Sequence, residues 1–520
     1  MKTFYKNLFL TLLIYISANE INYAQAPSIQ WQKSLGGTNY EQAESVKQTF
    51  DGGYIVAGIS TSTNGNVTGN HGFGDFWIVK LTPSGTIDWQ HSYGGSGDDG
   101  AFSIEQLPDS GYIIAGSSVS TNGNVTGNHG ALDFWIVRID KAGILLWQKS
   151  LGGSSDEIPY DIHHTTDNGF IVAGYTNSNN GNVTTNHGFN DYWIVKLDSA
   201  GGIAWQKSYG GTDDDKAYSV QQTSDGGYVA CGYTRSIDGD VTNNHGDYDY
   251  WVIKLDSAGT LQWQHALGGS LDDKAHSVSQ TFDGGFIVSG FTASSDSDVT
   301  FNHGFEDLWM VKLDSAGTIQ WEKSLGGSGV DQAYFIKQTS DSGFIAAGSS
   351  YSLDGDVTGN HGGYDYWVVK TDSMGTIEWD KSLGGTSVEE AYCIEQTDSG
   401  GYIIAGGTLS NDGDVTNNHG DFDYWIVKLD STMTTGIDSD KDVHSFNVYP
   451  NPSSTFITFT TKENLDGLIQ INDMRGRKII SKKLTMADEK IDLSDFANGI
   501  YTVQLISEKN TETRKLAIQK

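Results

Sequence analysis

Fourteen tryptophans stand at two phases of one 58-residue period, and this spacing limits what the chain can fold into. One series is Trp31, Trp89, Trp147, Trp205, Trp263, Trp321 and Trp379; the other is Trp77, Trp135, Trp193, Trp251, Trp309, Trp367 and Trp425. No insertion or deletion breaks either series, and the chain has no other Trp. A period of tens of residues marks a repeat architecture, in which each unit buries its apolar surface against the next.

Residues 38–95 illustrate one unit. EQAESVKQT reads as a first strand; strict alternation sets Ala43, Ser45 and Lys47 on one face and Glu44, Val46 and Gln48 on the other. FDGG turns the chain, because Asp-Gly and Gly-Gly accept positive φ. GYIVAGIS is a short apolar run rich in β-branched residues, a second strand. The polar loop TSTNGNVTGNHGFG leads to a third strand, DFWIVKLT, and PSG turns into a fourth, TIDWQHSYGG. No segment of the unit carries a 3.6-residue apolar period, so helix is not expected. Four antiparallel strands repeated seven times suit a β-propeller blade.

Only six complete units fit. The seventh ends after its third strand, at Asp423 to Ser431, while Ser28 to Gly37 is a fourth strand with no blade before it. A seven-bladed β-propeller in which the N-terminal strand closes the last blade resolves both facts and removes a free edge. The repeat resembles propellers of the WD-repeat and kelch type, and His71-Gly72-x-x-Asp75-x-Trp77 loosely resembles the His and Trp-Asp pairs of WD-repeats. That resemblance implies architecture and no partner.

The two ends suggest a destination. Lys2 and Lys6, the apolar run Leu8 to Ile16 and Ala24-Gln25-Ala26 fit a secretory signal peptide over residues 1–24. The run is too short for a comfortable membrane span, so no transmembrane segment is expected in the mature chain. The repeats occupy 25–431, an acidic linker 432–445 and a Trp-free segment of short strands 446–520. Asn447-Val-Tyr-Pro450-Asn451-Pro452-Ser453, Asp473-Met-Arg-Gly-Arg477, Asp492-Leu-Ser, Gly499-Ile-Tyr501 and the tail from Lys515 resemble, in order, the type A C-terminal sorting domain of type IX secretion cargo. The resemblance implies an immunoglobulin-like β-sandwich read by the type IX translocon. It implies release from a Gram-negative cell or attachment to its outer-membrane surface.

Charge narrows the partners. The whole chain carries −33; subtracting +1 for the leader and +2 for the tail leaves −36 on the propeller and linker. Nucleic acid, which needs a basic face, is excluded as a partner, and anionic lipid is disfavoured for the same reason. Cys231 and Cys393 fall in blades 4 and 7, too far apart for a disulfide.

Repeat register separates scaffold from function, since a residue present in every blade serves the blade. By that criterion His71, Asp75, Trp77 and Trp89, with their counterparts, are structural. The loop between strands two and three reads NGN in blades 1 to 3. It becomes Asp238-Gly-Asp240, Asp296-Ser-Asp298, Asp354-Gly-Asp356 and Asp412-Gly-Asp414 in blades 4 to 7. Paired carboxylates around a turn suit calcium, and Asx-turn chemistry accounts for both versions without metal. No other cofactor is indicated. With the first strand innermost, these long loops share one rim with the acidic links Asp98-Asp99, Asp213-Asp214-Asp215, Asp272-Asp273 and Glu389-Glu390. That rim is the expected binding face.

Blade 3 breaks the symmetry with Pro159, Asp161, His163 and His164, where the last replaces a Gln found in the other six blades. Drift in a duplicated repeat and acid–base chemistry near the channel both fit. No Gly-x-Ser-x-Gly, His-Glu-x-x-His or phosphate-cradling Gly loop occurs, and no catalytic residue is assigned. The leading reading is an exported propeller that binds a protein or glycan; the alternative is a secreted polysaccharide lyase or hydrolase.

Overall fold

The computed structural model describes residues 25–431 and, in the tail, 446–449, 453, 455–461, 467–473, 477–484, 488–497, 499–507 and 511–518. The expected signal peptide, the linker, Pro450, Asn451 and Pro452 lie outside the described residues, as does the Lys515 side chain. Every regular element among the described residues is a strand. The chain divides into two units at residue 435.

In the first unit, strand β1 is Ile29–Leu35, β2 Glu41–Gln48, β3 Tyr54–Ser60, β4 Asp75–Leu81 and β5 Ile87–Tyr93. The last four form an antiparallel sheet in sequence order, and six such sheets recur along the chain. The seventh consists of Glu389–Gln396, Tyr402–Thr408 and Asp423–Leu429, with β1 as its fourth strand. Ser34 lies opposite Trp425 and Leu35 opposite Tyr424. Blade 7 then meets blade 1 as other neighbours meet: the Tyr424 hydroxyl donates to Trp77 O (2.8 Å), and Glu41 N–H to Phe422 O (2.7 Å). The equivalent bonds from Tyr192 to Trp251 O and from Tyr250 to Trp309 O join blades 3, 4 and 5.

The sequence pattern follows from this stacking. The middle strands lie between two neighbouring blades, so both faces are covered; β4 and its counterparts are buried at every position. A strand buried on both faces reads as a continuous apolar run rather than an alternation. Trp77 is fully buried and meets Tyr424 of the preceding blade at 4.5 Å, while its Nε1–H donates to Gln90 Oε1 of its own outer strand (2.7 Å). The Trp31 series lies further out and is mostly half-buried; Trp31 packs edge-on against Tyr54 of the next blade at 5.7 Å. Both series therefore join blade to blade.

Strict alternation fails in the first strand. Ala43 pairs with Gly58 and Ser45 with Ala57, so Glu44 is an extra, unpaired residue: a β-bulge. The register shifts at the same place in every blade. Ala43 and Val46 consequently both enter the core, whereas Glu44, Ser45 and Lys47 turn toward the central channel. The expected grouping of Glu44 with Val46 is thus incorrect, because one inserted residue reverses the side-chain period beyond it.

The second unit has two antiparallel sheets. One contains Phe446–Tyr449, Phe456–Thr461 and Asp488–Asp492; the other contains Lys478–Lys483, Gly467–Asp473, Gly499–Ser507 and Thr511–Ile518. Ile457, Phe459, Ile471, Val503 and Leu516 share one core between them, a β-sandwich.

Deleting residues 25–37 removes the fourth strand of blade 7 and leaves its third strand as an open edge. The expected outcome is a lower melting temperature and concentration-dependent association. Calorimetry and size-exclusion chromatography check it.

Candidate functional site

Four sets of polar residues fasten the long-loop face. First, His71 Nδ1 lies 2.6 Å from Asp75 Oδ2, which also accepts the His71 N–H at 2.9 Å. The same His–Asp pair recurs in the six other blades. Second, Asn64 Oδ1 accepts Thr38 N–H (2.9 Å) and Asn66 Oδ1 accepts Gly36 N–H (3.1 Å), tying the loop to the incoming link. Gly65 between them takes φ 67° with its Cα against Gly36 O, where a Cβ would stand 2.3 Å from that oxygen. The Asp versions do the same: Asp238 accepts Thr212 N–H, Asp296 Ser270 N–H, Asp354 Ser328 N–H and Asp412 Thr386 N–H, at 2.7 to 2.8 Å. Asp240, Asp298, Asp356 and Asp414 accept the glycine N–H groups two residues earlier in the links. Among the described residues no group of three or more His, Cys, Asp or Glu gathers as a metal set. Because Asn and Asp make equivalent bonds, converting Asp296 and Asp298 to Asn should leave the unfolding midpoint nearly unchanged in chelator-treated buffer. Urea denaturation measures this.

Third, the first residue of each first strand is a fully buried carboxylate: Glu41, Asp99, Glu157, Asp215, Asp273, Asp331 and Glu389. Glu41 accepts Gly37 N–H (2.6 Å), the Ser60 hydroxyl (2.8 Å) and Ser62 N–H (3.1 Å). One acid of each acidic link, Asp99, Asp215, Asp273 and Glu389, is therefore internal scaffold and not part of the rim expected from the sequence. Burial raises the carboxyls of Glu41, Asp99, Glu157, Asp273 and Asp331, and that of Asp215 to about 6.

Fourth, the glutamine series bridges neighbouring blades at the opposite end of the first strands. Gln106 Oε1 accepts Phe50 N–H, Gln222 Thr166 N–H, Gln280 Ser224 N–H and Gln338 Phe282 N–H, at 2.7 to 2.8 Å. His164 replaces this glutamine where the facing turn residue of blade 2 is Pro108, which has no N–H to donate. Donor and acceptor were lost together, which accounts for His164.

The first strands surround a cavity of about 430 Å³. The seven bulge positions make its upper wall. Six are aromatic, and their ring centroids follow one another at 5.3 Å (Phe102–Tyr160), 4.5 Å (Tyr160–Tyr218), 5.2 Å (Tyr218–His276), 5.1 Å (His276–Tyr334) and 4.9 Å (Tyr334–Tyr392). Glu44 takes the seventh place, holding Gln42 Nε2 at 2.7 Å. Burial pushes its carboxyl up to about 8 against the Gln42 bond, and Glu390 adds to the rise. Burial lowers His276 to about 4, so its ring is neutral, and Nδ1–H donates to Ala333 O (3.0 Å). These bulges lie near the strand starts, so this wall stands toward the long-loop face. Sequence reading missed it; the signal was the aromatic register at every 58th residue after Glu44.

Deeper, charges pair. Asp161 accepts the Ser103 hydroxyl (3.1 Å) from blade 2 and the Ser219 hydroxyl (3.2 Å) and Val220 N–H (3.0 Å) from blade 4. His163 sets Nδ1 3.2 Å from Glu105 and Nε2 3.3 Å from Asp161. Two carboxylates on two ring nitrogens require an imidazolium, since each nitrogen must donate. Burial alone would lower His163, but Asp161 and then Glu105 raise it to about 10. Lys337 pairs with Glu395 at 3.8 Å, and Lys47 Nζ stands 5.3 Å from the Phe335 ring centre. Cys393 lines the same cavity as an unpaired thiol that burial pushes up, which suppresses the nucleophilic thiolate. Cys231 is also free and buried.

A His whose folded pKa is raised adds stability that is complete below the unfolded value near 6.5 and is lost as pH rises through about 10. His163→Leu leaves two carboxylates without their counter-charge and, with His163 and Glu105 about one-third exposed, should cost about 1 kcal/mol near neutral pH. The gap from wild type should narrow as pH climbs between those two values. Denaturant titrations across that range test it.

In the second unit, the Tyr501 hydroxyl donates to Ala497 O (3.0 Å) and its ring packs edge-on to Phe496 at 5.1 Å; Gly499 opens the same strand, and Lys515 lies in Thr511–Ile518. Residues 447–519 match the family model of a secretion system C-terminal sorting domain. No curated protein matches the chain. Among solved structures it is similar to PorZ, a surface component of the type-IX secretion system of Porphyromonas gingivalis, at 11% identity over 94% of this chain and 61% of that one, with a TM-score of 0.41. A fungal alcohol oxidase in complex with copper is similar at 10% identity over 95% of this chain and all of that one, TM-score 0.45. Puromycin hydrolase is similar at 11% identity over 93% and 62%, TM-score 0.45. The sorting tail implies export to the cell surface or secretion. No helix among the described residues is long and apolar enough to cross a membrane.

Proposed function

We propose that this type IX secretion cargo is a binding module, not an enzyme, and that its protein or glycan ligand enters the channel from the long-loop face. The observation that carries this is the arc of six aromatic rings around the channel wall. Rings side by side give a ligand contact area at low entropic cost. The charged groups beneath are engaged with one another across blades, and His163, at about 10, is not a base poised near neutral pH. A polysaccharide lyase or hydrolase would need a paired acid and base, and Glu44, raised to about 8, is the one carboxyl among the bulge positions.

The test is capture from a glycan array and from extracellular protein, using the full exported chain and a Tyr334→Leu variant. The expected result is a ligand retained by the wild type and weakened at least about tenfold by Tyr334→Leu, as loss of a hot-spot aromatic predicts. Equal capture by a correctly folded variant would overturn the channel as the site. Turnover of a captured polysaccharide would overturn the non-enzymatic reading.

A further inference from the structure

Every blade junction sets two buried carboxyls face to face. Asp75 and its six counterparts in the third strands are as fully buried as the acid that opens the next blade. In each, Oδ2 holds the His ring, while Oδ1 is buried and has no hydrogen-bond partner. That bare oxygen is aimed at the neighbouring acid across a glycine. At Gly152 a Cβ would stand 2.6 Å from Asp133 Oδ1 and 2.5 Å from Glu157 Oε2, and the equivalent glycine lies between the same two oxygens at each other junction. Only a residue without Cβ lets the two carboxyls approach so closely.

The junction of blades 2 and 3 shows what each acid lacks. Asp133 Oδ2 accepts His129 N–H at 2.9 Å and stands 2.7 Å from His129 Nδ1. Glu157 Oε2 accepts Gly153 N–H (2.6 Å), and its Oε1 accepts the Thr176 hydroxyl (2.7 Å). Both oxygens of Glu157 are therefore served by donors, and one oxygen of Asp133 is not. His129, Asp156, Asn182 and Tyr175 stand around the pair, and Lys216, over the Tyr175 ring at 4.6 Å, is balanced by Asp214 at 3.9 Å. Among the described residues no Lys or Arg forms an ion pair with Asp133 or Glu157. Two ionised carboxyls facing each other in a buried site repel, and one of them takes up a proton instead. A proton on Asp133 Oδ1 ends the repulsion and turns the bare acceptor into a donor toward Glu157. Burial holds Asp133 above the usual carboxyl range against its His129 bonds; burial also raises Glu157, and Asp133 adds to that rise. In the junctions entering blades 4 to 7 a third acid, Asp240, Asp298, Asp356 or Asp414, stands where Asn182 stands here. Burial raises Asp249 and Asp365 there to about 6.

We propose that each blade junction holds one proton between its two carboxyls, so that the closed ring binds protons that the unfolded chain releases. A carboxyl raised by folding adds stability that is complete below its unfolded value, about 4. That stability is lost as pH rises through the folded value, about 6 for Asp249 and Asp365. The ring is accordingly fastened by acid and loosened toward alkaline pH. The inference is independent of what the channel binds.

Asp133→Asn in the full chain tests it, because the amide keeps an oxygen for the His129 donors and puts N–H where the proton is placed. Denaturant titrations should give the variant the wild-type midpoint near pH 5 and a higher midpoint near pH 8, with about one proton fewer taken up on folding between them. Asp133→Ala, which supplies no donor, should fall below wild type at both. Circular dichroism confirms that each variant is folded. Infrared spectroscopy gives a second reading that needs no change at the junction. At about pH 6, where exposed carboxyls are ionised, a Glu44→Gln chain should still show the C=O stretch of protonated carboxyls, and that band should fade by about pH 8. Absence of the band would overturn the inference. So would loss of stability in Asp133→Asn at both pH values, the result expected if the proton sits on His129 or if both carboxyls are ionised.

Discussion

A carboxylate buried at every blade junction is the interaction on which the long-loop face depends. Glu41 and its six counterparts occupy the first position of the innermost strand, with no exposure to water. Each collects N–H groups from the link entering its blade and hydroxyls from the next strand. A buried charge is tolerated only when several donors converge on it, and removing one side leaves the other stranded. The His–Asp pair lies on the other side of the same junction. Gly36 is pressed between Asp423 and Glu41, so closely that a Cβ there would stand within 2.5 Å of both carboxylates. Loop, link and strand are therefore one hydrogen-bonded unit, and the channel mouth inherits its rigidity.

Position along the first strand divides the labour. Its first residue fastens the junction, its bulge residue faces the channel, and its last residue, glutamine in six of the seven blades, fastens the opposite end. Seven copies of this arrangement can vary at the bulge without loosening either fastening, because the bulge residue makes no ladder pair. Phe, Tyr, His and Glu all appear there on the same backbone.

Much of this was legible in the residues. Gly-rich turns and the Trp register marked every strand of the repeat, and the orphan strand at residues 28–37 pointed to its place in blade 7. The sorting domain was readable from its ordered motifs. Two features were hidden for physical reasons. A bulge leaves no mark in a hydrophobic pattern, so Glu44 was assigned by alternation to the wrong face and the aromatic circle went unseen. The second acid of a pair such as Asp98-Asp99 looks like its solvated neighbour, and only the converging donors reveal that Asp99 is buried. His164 was visible as an exception, but its explanation required the facing Pro108.

That pairing of Pro108 with His164 has a consequence for how such a ring can change. A blade cannot be judged alone, since its fit depends on what the preceding turn offers. Moving blade 3 to follow any other blade would confront His164 with an amide N–H lacking its acceptor, and moving another blade into its place would confront a glutamine with a proline. The heritable unit of this molecule is the seam between blades, and shuffling whole blades would break seams that single substitutions on both sides have kept closed.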